Sequence, residues 1–370
     1  MTDRERFLAI LEFRSVDRVP NYELGVWGQT IDRWYAEGLP PDACYWNWFE
    51  GEPYFHLAPR AFAQIDVAMV PRFEPEVLEE SERYIVRRGE DGVVSRALKQ
   101  GTARGTRASM DQYIGHPVTD RASWKEMRKR YDPASPVRYP LWWDGLKRQW
   151  ERRSYPLCLL GNGTAGLYSQ LRSWVGTEEI SYLFFDDPVL VHEMVDTYVQ
   201  FVIDVTARAR AEMSFDYFNF FEDFAGKGGP LISPDLFRKF LLPGYRRIIQ
   251  EFRRSGIGSF WLDSDGDPRA LVPLMIEAGI TCLWPLEIAA EYDPRDIRRE
   301  YGTALALAGG IDKRELAKGR AEIDAELERR IPPLLESGGY LPHVDHTVPP
   351  DVSLDNFRYY IERKARLLGH

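Results

Sequence analysis

The chain has 370 residues, 44% of them hydrophobic and 28% charged, and its formal net charge is −9 at pH 7. No apolar run approaches the roughly 20 residues that cross a bilayer, and the acidic balance lacks the clustered cations that phosphate groups require. These features predict a soluble protein that binds neither membrane nor nucleic acid. The opening MTDRERFLAILEF is charged and helical, unlike a signal peptide, which predicts a cytoplasmic location.

The cysteine content predicts neither a disulfide framework nor an all-cysteine metal site. Only Cys44, Cys158 and Cys282 are present, an odd number with wide spacings. We therefore expect reduced thiols, most of them buried.

Eight strand-like runs alternate with helical patterns along the chain. The runs are residues 20–27, 66–70, 156–162, 216–222, 258–264, 281–285, 304–309 and 340–345. The amphipathic stretches between and after them include residues 188–212, 234–254, 268–278, 313–336 and 353–368. Eight strands are the number that closes a parallel sheet into a barrel filled by its own side chains.

This alternation predicts an α/β fold, a (β/α)8 TIM barrel that forms a single domain over residues 1–370. A doubly wound open sheet is the competing architecture. Such a sheet normally has a glycine-rich phosphate turn after its first strand, and the run LGVWG at residues 24–28 lacks that spacing.

Two long insertions follow the first two predicted strands, at residues 31–64 and 72–155. They are rich in tryptophan, which indicates either a large, partly apolar substrate pocket or small cores beneath the loops; these residues are Trp34, Trp46, Trp48, Trp124, Trp142, Trp143 and Trp150. Within the second insertion, residues 83–107 read as a cationic β-hairpin around the turn Glu90-Asp91-Gly92. A docking surface for an acidic protein is the alternative interpretation of that hairpin.

Acidic residues gather at the C-terminal ends of the predicted strands, where barrels place their active sites. They are Glu222, Asp223, Asp263, Asp265, Asp267, Glu287, Asp312 and Asp345. Crowded carboxylates repel one another, so the cluster predicts a bound cation, a cationic substrate or raised pKa values. Asp267 and Asp312 stand where helix caps belong. Glu222, Asp265 and Glu287 do not, and they are the stronger functional candidates.

His346 follows the last predicted strand, next to Asp345. An imidazole there suits a metal ligand or a general acid or base, with Asp345 orienting it. A purely structural histidine is equally consistent with the spacing.

The C-terminal third carries motifs that are specific in combination: FFEDFAGKGGPLISPDLFRKFLLPGYRRI, LDSDGD, AGGIDKREL and GGYLPHVDHTVPPDVSLDNFRYYIE. Together they resemble the uroporphyrinogen decarboxylase superfamily, which also contains methyltransferases that work on corrinoid cofactors. The likeness extends weakly to RFLAILEFRSVDRVP and LLGNGTAGLYSQLRSWVG. It implies a (β/α)8 barrel with its site at the strand C-termini.

Two departures from the resemblance weigh against porphyrinogen decarboxylation. True decarboxylases carry two arginines in a run resembling RQAGR, where residues 25–29 here read GVWGQ. They also keep an aspartate in a run resembling FSDIL, where residues 70–74 read VPRFE. Each lost charge-assisted contact weakens binding by about 1.5–3 kcal/mol, so recognition of that substrate should be abolished.

The methyltransferase branch of the resemblance implies a zinc site, which by motif order falls on Asp263, Asp265 and His346. We therefore predict transfer of a methyl group from a small donor, a methoxylated aromatic compound or a methylamine, to a corrinoid held by a partner protein, with zinc or another divalent metal. His346, Asp265 and Glu222 are the predicted catalytic residues. The predicted substrate-binding residues are Trp27, Gln29, Tyr168, Asp223 and Glu287.

Two other functions remain open from the sequence. One is a cofactor-free decarboxylase or lyase acting on a smaller carboxylate, and the other is a barrel that binds a small molecule without catalysis. A homodimer is compatible with each of the three.

Overall fold

The computed structural model describes residues 1–43, 51–104, 106–107, 110–161 and 163–370. Cys44, Trp46, Trp48 and the predicted strand end at Asn162 lie outside these residues. Over the described ranges, no helix is both long and apolar enough to cross a membrane. Cys158 and Cys282 are buried and unpaired, as predicted.

A seven-stranded parallel sheet forms the centre of the fold, with its strands adjacent in chain order. The strands are Ala61–Phe62, Leu157–Cys158, Tyr217–Phe221, Ser259–Asp263, Cys282–Trp284, Ala306–Ala308 and Tyr340–Leu341. Nearly every strand residue is buried. Parallel strands need crossover connections, so the intervening helices cover the sheet. The last five strands lie inside their predicted runs, and Leu157–Cys158 lies inside the run 156–162.

Helices lie in each of the five predicted amphipathic stretches, and further helices occur outside them, among others in the two insertions. The helices are Asp3–Leu11, Gly28–Ala36, Arg121–Met127, Trp143–Glu151, Leu167–Val175, Thr177–Asp186, Pro188–Val205, Ala207–Glu212, Pro234–Leu236, Leu242–Arg254, Val272–Ala278, Pro294–Tyr301, Lys313–Leu316, Arg320–Glu336 and Leu354–Leu367. A π-helical turn, Phe237–Leu241, joins two of them. Ser353 caps the last helix by accepting a hydrogen bond from the Asn356 N–H at 3.2 Å.

The first predicted strand, residues 20–27, was wrong as a regular strand. Its backbone makes one parallel bridge, Val26 with Val348, and accepts one hydrogen bond at Asn21 from the Ala58 N–H at 2.8 Å. Between these contacts the buried Glu23 side chain accepts the Val344 N–H at 3.0 Å. The Glu23 carboxylate thus accepts a hydrogen bond that a backbone carbonyl of a regular strand would otherwise accept. No regular ladder of backbone hydrogen bonds forms here.

The second predicted strand, residues 66–70, was also wrong, because the sheet strand lies earlier at Ala61–Phe62. The Asp66 and Val70 N–H groups donate to the carbonyls of Arg138 and Arg130, both at 2.8 Å. The buried Arg138 guanidinium in turn donates to the Asp66 carbonyl at 3.1 Å. The segment alternates buried and exposed side chains as a strand would, but it pairs with a loop.

Along the chain, a separate four-stranded antiparallel sheet comes between the first two strands of the parallel sheet. Its strands are Glu76–Glu80, Tyr84–Arg88, Val94–Leu98 and Gln112–Gly115. A hairpin therefore lies at the predicted place. Two of its cations pair with the acidic first strand: Lys99 contacts Glu80 at 2.8 Å, and Arg88 pairs with Glu76.

The described tryptophans of the insertions do not form a pocket wall together. Trp34, Trp124, Trp143 and Trp150 are buried. They pack in small aromatic clusters, such as Trp34 against Phe357 with ring centroids 4.8 Å apart. Trp142 is the exception, with 61% of its surface exposed. These aromatic residues therefore mainly stabilise the loops.

Candidate active site at the C-terminal ends of the strands

Asp265 and His346 meet at the C-terminal ends of the parallel strands, a region we call the mouth. Asp265 lies two residues beyond the strand Ser259–Asp263, and His346 lies five residues beyond Tyr340–Leu341. The His346 Nε2 atom is 3.4 Å from Asp265 Oδ2, and the two side chains are 34% and 46% exposed. The strand ends thus bring together two of the predicted site residues, within reach of a ligand.

The pair favours a carboxylate beside an imidazolium. Burial alone would raise the pKa of Asp265 and lower the pKa of His346, but their contact and opposite charges outweigh burial in both cases. The pKa of Asp265 is therefore lowered from its usual value of 3.8, and the pKa of His346 is raised from 6.5. His346 consequently holds a proton to higher pH than an isolated imidazole does.

Asp263 is the last residue of its strand, and only 7% of its surface is exposed. Within the described part of the chain, no hydrogen bond reaches its carboxyl group. Burial raises the pKa of Asp263 well above its usual value, and the charges of Asp265 and Asp223 add to the shift. Burial therefore favours the protonated form of Asp263, in which a buried carboxyl group can donate a hydrogen bond.

Lys313 supplies the cation that the acidic cluster required, and our sequence reasoning missed it. Its Nζ atom lies 3.3 Å from Glu287 Oε1 and 3.3 Å from Asp345 Oδ1. Glu287 also accepts the Gly266 N–H at 3.1 Å. Lys313 therefore ties together the loops that carry Asp265 and His346. The available signal was its position directly after Asp312, at a strand C-terminus.

Asp345 does not orient His346, contrary to our prediction. Its carboxylate accepts the N–H groups of Ile288 at 2.9 Å and Lys313 at 3.2 Å, and the His346 Nδ1 atom faces Thr347 Oγ1 at 2.8 Å. Neighbouring residues of an extended segment point to opposite sides. Asp265, which lies on another strand end, is the acidic partner of His346.

Glu222 is fully buried and caps the helix Leu167–Val175. Its carboxylate accepts the backbone N–H groups of Tyr168 at 3.1 Å and Ser169 at 2.9 Å, the Leu167 N–H, and the hydroxyl groups of Ser169 and Tyr245. Burial raises the pKa of Glu222, and these hydrogen bonds oppose the shift without cancelling it. Our expectation that Glu222 serves no helix cap was wrong, and its contacts are structural.

Two further predicted residues lie beside Glu222. The Asp223 carboxylate accepts a hydrogen bond from Arg172 Nη1 at 2.8 Å, and it remains about half exposed. Tyr168 is fully buried, with its hydroxyl 3.4 Å from the Leu231 carbonyl, and burial raises its pKa to about 12. Asp223 is therefore open to a ligand, whereas Tyr168 belongs to the core.

Trp27 and Gln29 lie at the start of the helix Gly28–Ala36. Trp27 is half-buried, and its backbone N–H donates to the Val348 carbonyl at 3.2 Å. The Gln29 side chain donates to the Gly101 carbonyl at 2.6 Å. Asp267 and Asp312 cap as predicted, accepting the N–H groups of Arg269 at 3.1 Å and Arg314 at 2.9 Å.

The predicted metal ligands do not form a preformed site. Over the described residues, no group of three or more His, Cys, Asp or Glu side chains is placed to hold a metal ion. Asp265 contacts His346 directly, whereas the ligands of a preformed metal site converge on one shared point. Asp263, Asp265 and His346 in this arrangement therefore do not fit a zinc site.

Comparison with known proteins agrees with this fold and with the sequence motifs. The family model described as uroporphyrinogen decarboxylase (URO-D) matches residues 109–366. A methylated-thiol–coenzyme M methyltransferase of Methanosarcina mazei is 26% identical over 187 residues, which cover 50% of this chain and 42% of that protein. The solved structure of a methyltransferase from Methanosarcina mazei superimposes with a TM-score of 0.61, at 16% identity and 99% coverage of both chains. The chain belongs to the uroporphyrinogen decarboxylase family, among relatives of the methyltransferase type.

Proposed function

We propose that this protein transfers a methyl group from a small methylated donor, a methoxylated aromatic compound or a methylamine, to a corrinoid carried by a partner protein. The observation that carries the proposal is the Asp265–His346 pair beside the buried carboxyl group of Asp263. An imidazole and a buried carboxyl group at one mouth suit a reaction whose leaving atom needs a proton. The methyltransferase names of the relatives support the same reaction class.

His346 is the proposed proton donor. When a methyl ether reacts, the bond between the methyl carbon and the oxygen breaks, and its electron pair stays on the oxygen. That oxygen takes the proton of His346, while Asp265 remains anionic and stabilises the imidazolium before transfer. Asp263 donates a second hydrogen bond to the same oxygen. A reduced corrinoid supplies the nucleophile that accepts the methyl group.

Porphyrinogen decarboxylation is disfavoured by the residues that replace the family's substrate-binding charges. Residues 25–29 contain no arginine, and the only cation in residues 70–74 is Arg72. The Arg72 guanidinium is already paired, with Asp66 at 3.1 Å and Glu90 at 3.4 Å. A substrate with many carboxylates therefore lacks its counter-charges here.

We also infer that residues 20–27 close the parallel sheet into a single (β/α)8 barrel. The segment contacts both edges of the sheet, through Ala58 beside Ala61–Phe62 and through Val348 beyond Tyr340–Leu341. The buried Lys364 ammonium joins Glu23 and the Tyr22 carbonyl, which anchors the last helix to this seam. Closure would leave no open edge in the sheet.

The test mixes the purified protein with reduced cob(I)alamin and a panel of methyl ethers and methylamines. We expect the absorption spectrum of methylcobalamin to appear with at least one donor. Asp265→Asn should slow the reaction by about 10²- to 10⁴-fold, because the proton donor loses its partner. Asp267→Asn, two residues away in a capping position, is the matched control and should react like the wild type.

No spectral change across the whole panel would refute methyl transfer. Release of carbon dioxide from a carboxylated substrate without added metal would favour the decarboxylase alternative. Zinc analysis of protein purified without chelators or a metal-binding tag tests the metal prediction separately.

A further inference from the structure

A cavity of about 510 Å³ lies between the antiparallel sheet and the helix Leu167–Val175. Val93, Tyr113 and Ile114 line it from the sheet, and Phe221 and Asp223 line it from the end of a parallel strand. The size is within the range of small-molecule pockets, roughly 300–1,000 Å³. None of our sequence reasoning identified this space.

The cavity adjoins the mouth. Phe221 pairs in register with Asp263 on the neighbouring strand, so the cavity lining and the buried Asp263 carboxyl group are on adjacent strands. Asp223, two residues beyond Phe221, also lines the cavity. A donor whose methyl group reaches Asp263 and His346 would therefore have room for its remaining atoms in the cavity.

The lining combines apolar and aromatic surfaces with a negative field. Val93, Val175 and Phe221 provide an apolar wall suited to a flat ring. Four carboxylates line the cavity, belonging to Asp91, Glu178, Glu179 and Asp223.

Arg172 is the cation of the lining, and its charge is largely committed. Its Nη1 atom contacts Asp223 Oδ2 at 2.8 Å, and its Nε atom donates to Thr177 Oγ1 at 2.9 Å. The remaining acidic groups leave the space favourable to positive charge and unfavourable to a second carboxylate.

We propose that this cavity holds the ring of an aromatic methyl ether bearing a cationic substituent, and that it rejects a ring bearing a carboxylate. The proposal rests on the proposed methyl transfer for the role of the ligand, but binding itself requires neither corrinoid nor turnover. It selects one class among the donors considered above.

Three ligands that share one ring and one methoxy group test the proposal: 4-methoxybenzylamine, 4-methoxybenzyl alcohol and 4-methoxybenzoate. Calorimetric titration at pH 7 should show the amine binding about tenfold more tightly than the benzoate, with the alcohol between them. Equal binding of all three, or tightest binding of the benzoate, would overturn the proposal. Tightest binding of the benzoate would mean that the positive charge of Arg172 dominates the electrostatic potential of the cavity.

Two variants locate the effect. Glu178→Gln combined with Glu179→Gln should reduce the preference for the amine over the benzoate severalfold, whereas Glu74→Gln combined with Glu82→Gln changes the net charge equally outside the cavity and should leave the preference intact. Ser173→Trp fills the cavity from the helix side and should abolish binding of the amine. Unchanged binding in Ser173→Trp would place the ligand elsewhere, even if methyl transfer proved correct.

Discussion

Two neighbouring strand ends each carry a buried acidic residue, and the two differ in hydrogen bonding. Beyond Tyr217–Phe221, the Glu222 carboxylate accepts five hydrogen bonds from the start of a helix and from Tyr245. At the end of Ser259–Asp263, the buried Asp263 carboxyl group lies at the mouth and has no hydrogen-bond partner in the described residues. Burying a carboxyl group without hydrogen-bond partners costs free energy. Such a group is therefore expected at a site where it contacts a ligand.

An acidic residue at a strand end is therefore not by itself a catalytic residue. The number of hydrogen bonds that a carboxylate already accepts within the protein separates a structural carboxylate from one that is available to a ligand. The comparison therefore predicts that stability depends on Glu222 and activity on Asp263.

The largest expected effect on stability belongs to Glu222→Ala. Removing the carboxylate leaves three backbone N–H groups and the Tyr245 hydroxyl without their buried acceptor, which should lower the free energy of unfolding by about 3–5 kcal/mol. Urea denaturation followed by circular dichroism measures the change. A loss below about 1 kcal/mol would show that the helix cap is dispensable and that Glu222 is not a structural carboxylate.

Lys313→Met should destabilise the protein by about 2 kcal/mol, because the fully buried Asp345 loses its cation but keeps two backbone donors. The same denaturation experiment applies. Lys318→Met is a matched control, since Lys318 pairs with Glu315 at the exposed surface and should contribute little. Equal effects of the two substitutions would show that Lys313 does not stabilise the mouth more than a surface lysine does.

Asp263→Asn should change the free energy of unfolding by an amount that depends on pH. The folded-state pKa of Asp263 is raised, so the folded protein holds a proton that the unfolded chain releases near pH 4. Wild-type stability therefore falls, relative to the variant, as pH rises from about 4 toward the raised pKa. Unfolding curves at pH 4 and pH 7 measure this. A variant that is less stable than wild type only at pH 7 would contradict the assignment.

The smallest expected effect is on the titration of His346. Because contact with Asp265 raises its pKa above 6.5, Asp265→Asn should move the His346 titration to lower pH, observable by NMR. The contribution of the pair to stability is present below pH 6.5, fades as pH rises through the raised pKa of His346, and also fades as pH falls through the lowered pKa of Asp265. An unchanged titration would mean that the pair does not form in solution.

Much of the fold was predictable from periodicity, because five buried strands lie inside their predicted runs and alternate with helices along the chain. The two strand predictions were wrong where a group distant in sequence makes the hydrogen bond that a neighbouring strand would otherwise make. The Glu23 carboxylate accepts a backbone N–H in place of a strand carbonyl, and residues 66–70 form hydrogen bonds with Arg130 and Arg138. Neither exchange leaves a local pattern in the sequence.

The acidic residues of the site were predictable by type, but their roles were not. Position at a strand end selected Asp263, Asp265 and His346 together with Glu222. Only the folded chain shows that Glu222 binds a helix start 53–55 residues away, and that Asp265 replaces Asp345 as the partner of His346.

The most direct test compares methyl transfer to cob(I)alamin by Asp263→Asn and Glu222→Gln, with each rate expressed per folded molecule. We predict that Asp263→Asn loses about 10²-fold or more in rate while remaining folded, and that Glu222→Gln keeps a rate near wild type despite reduced stability. A fully active Asp263→Asn, or a stable Glu222→Gln without activity, would contradict the account.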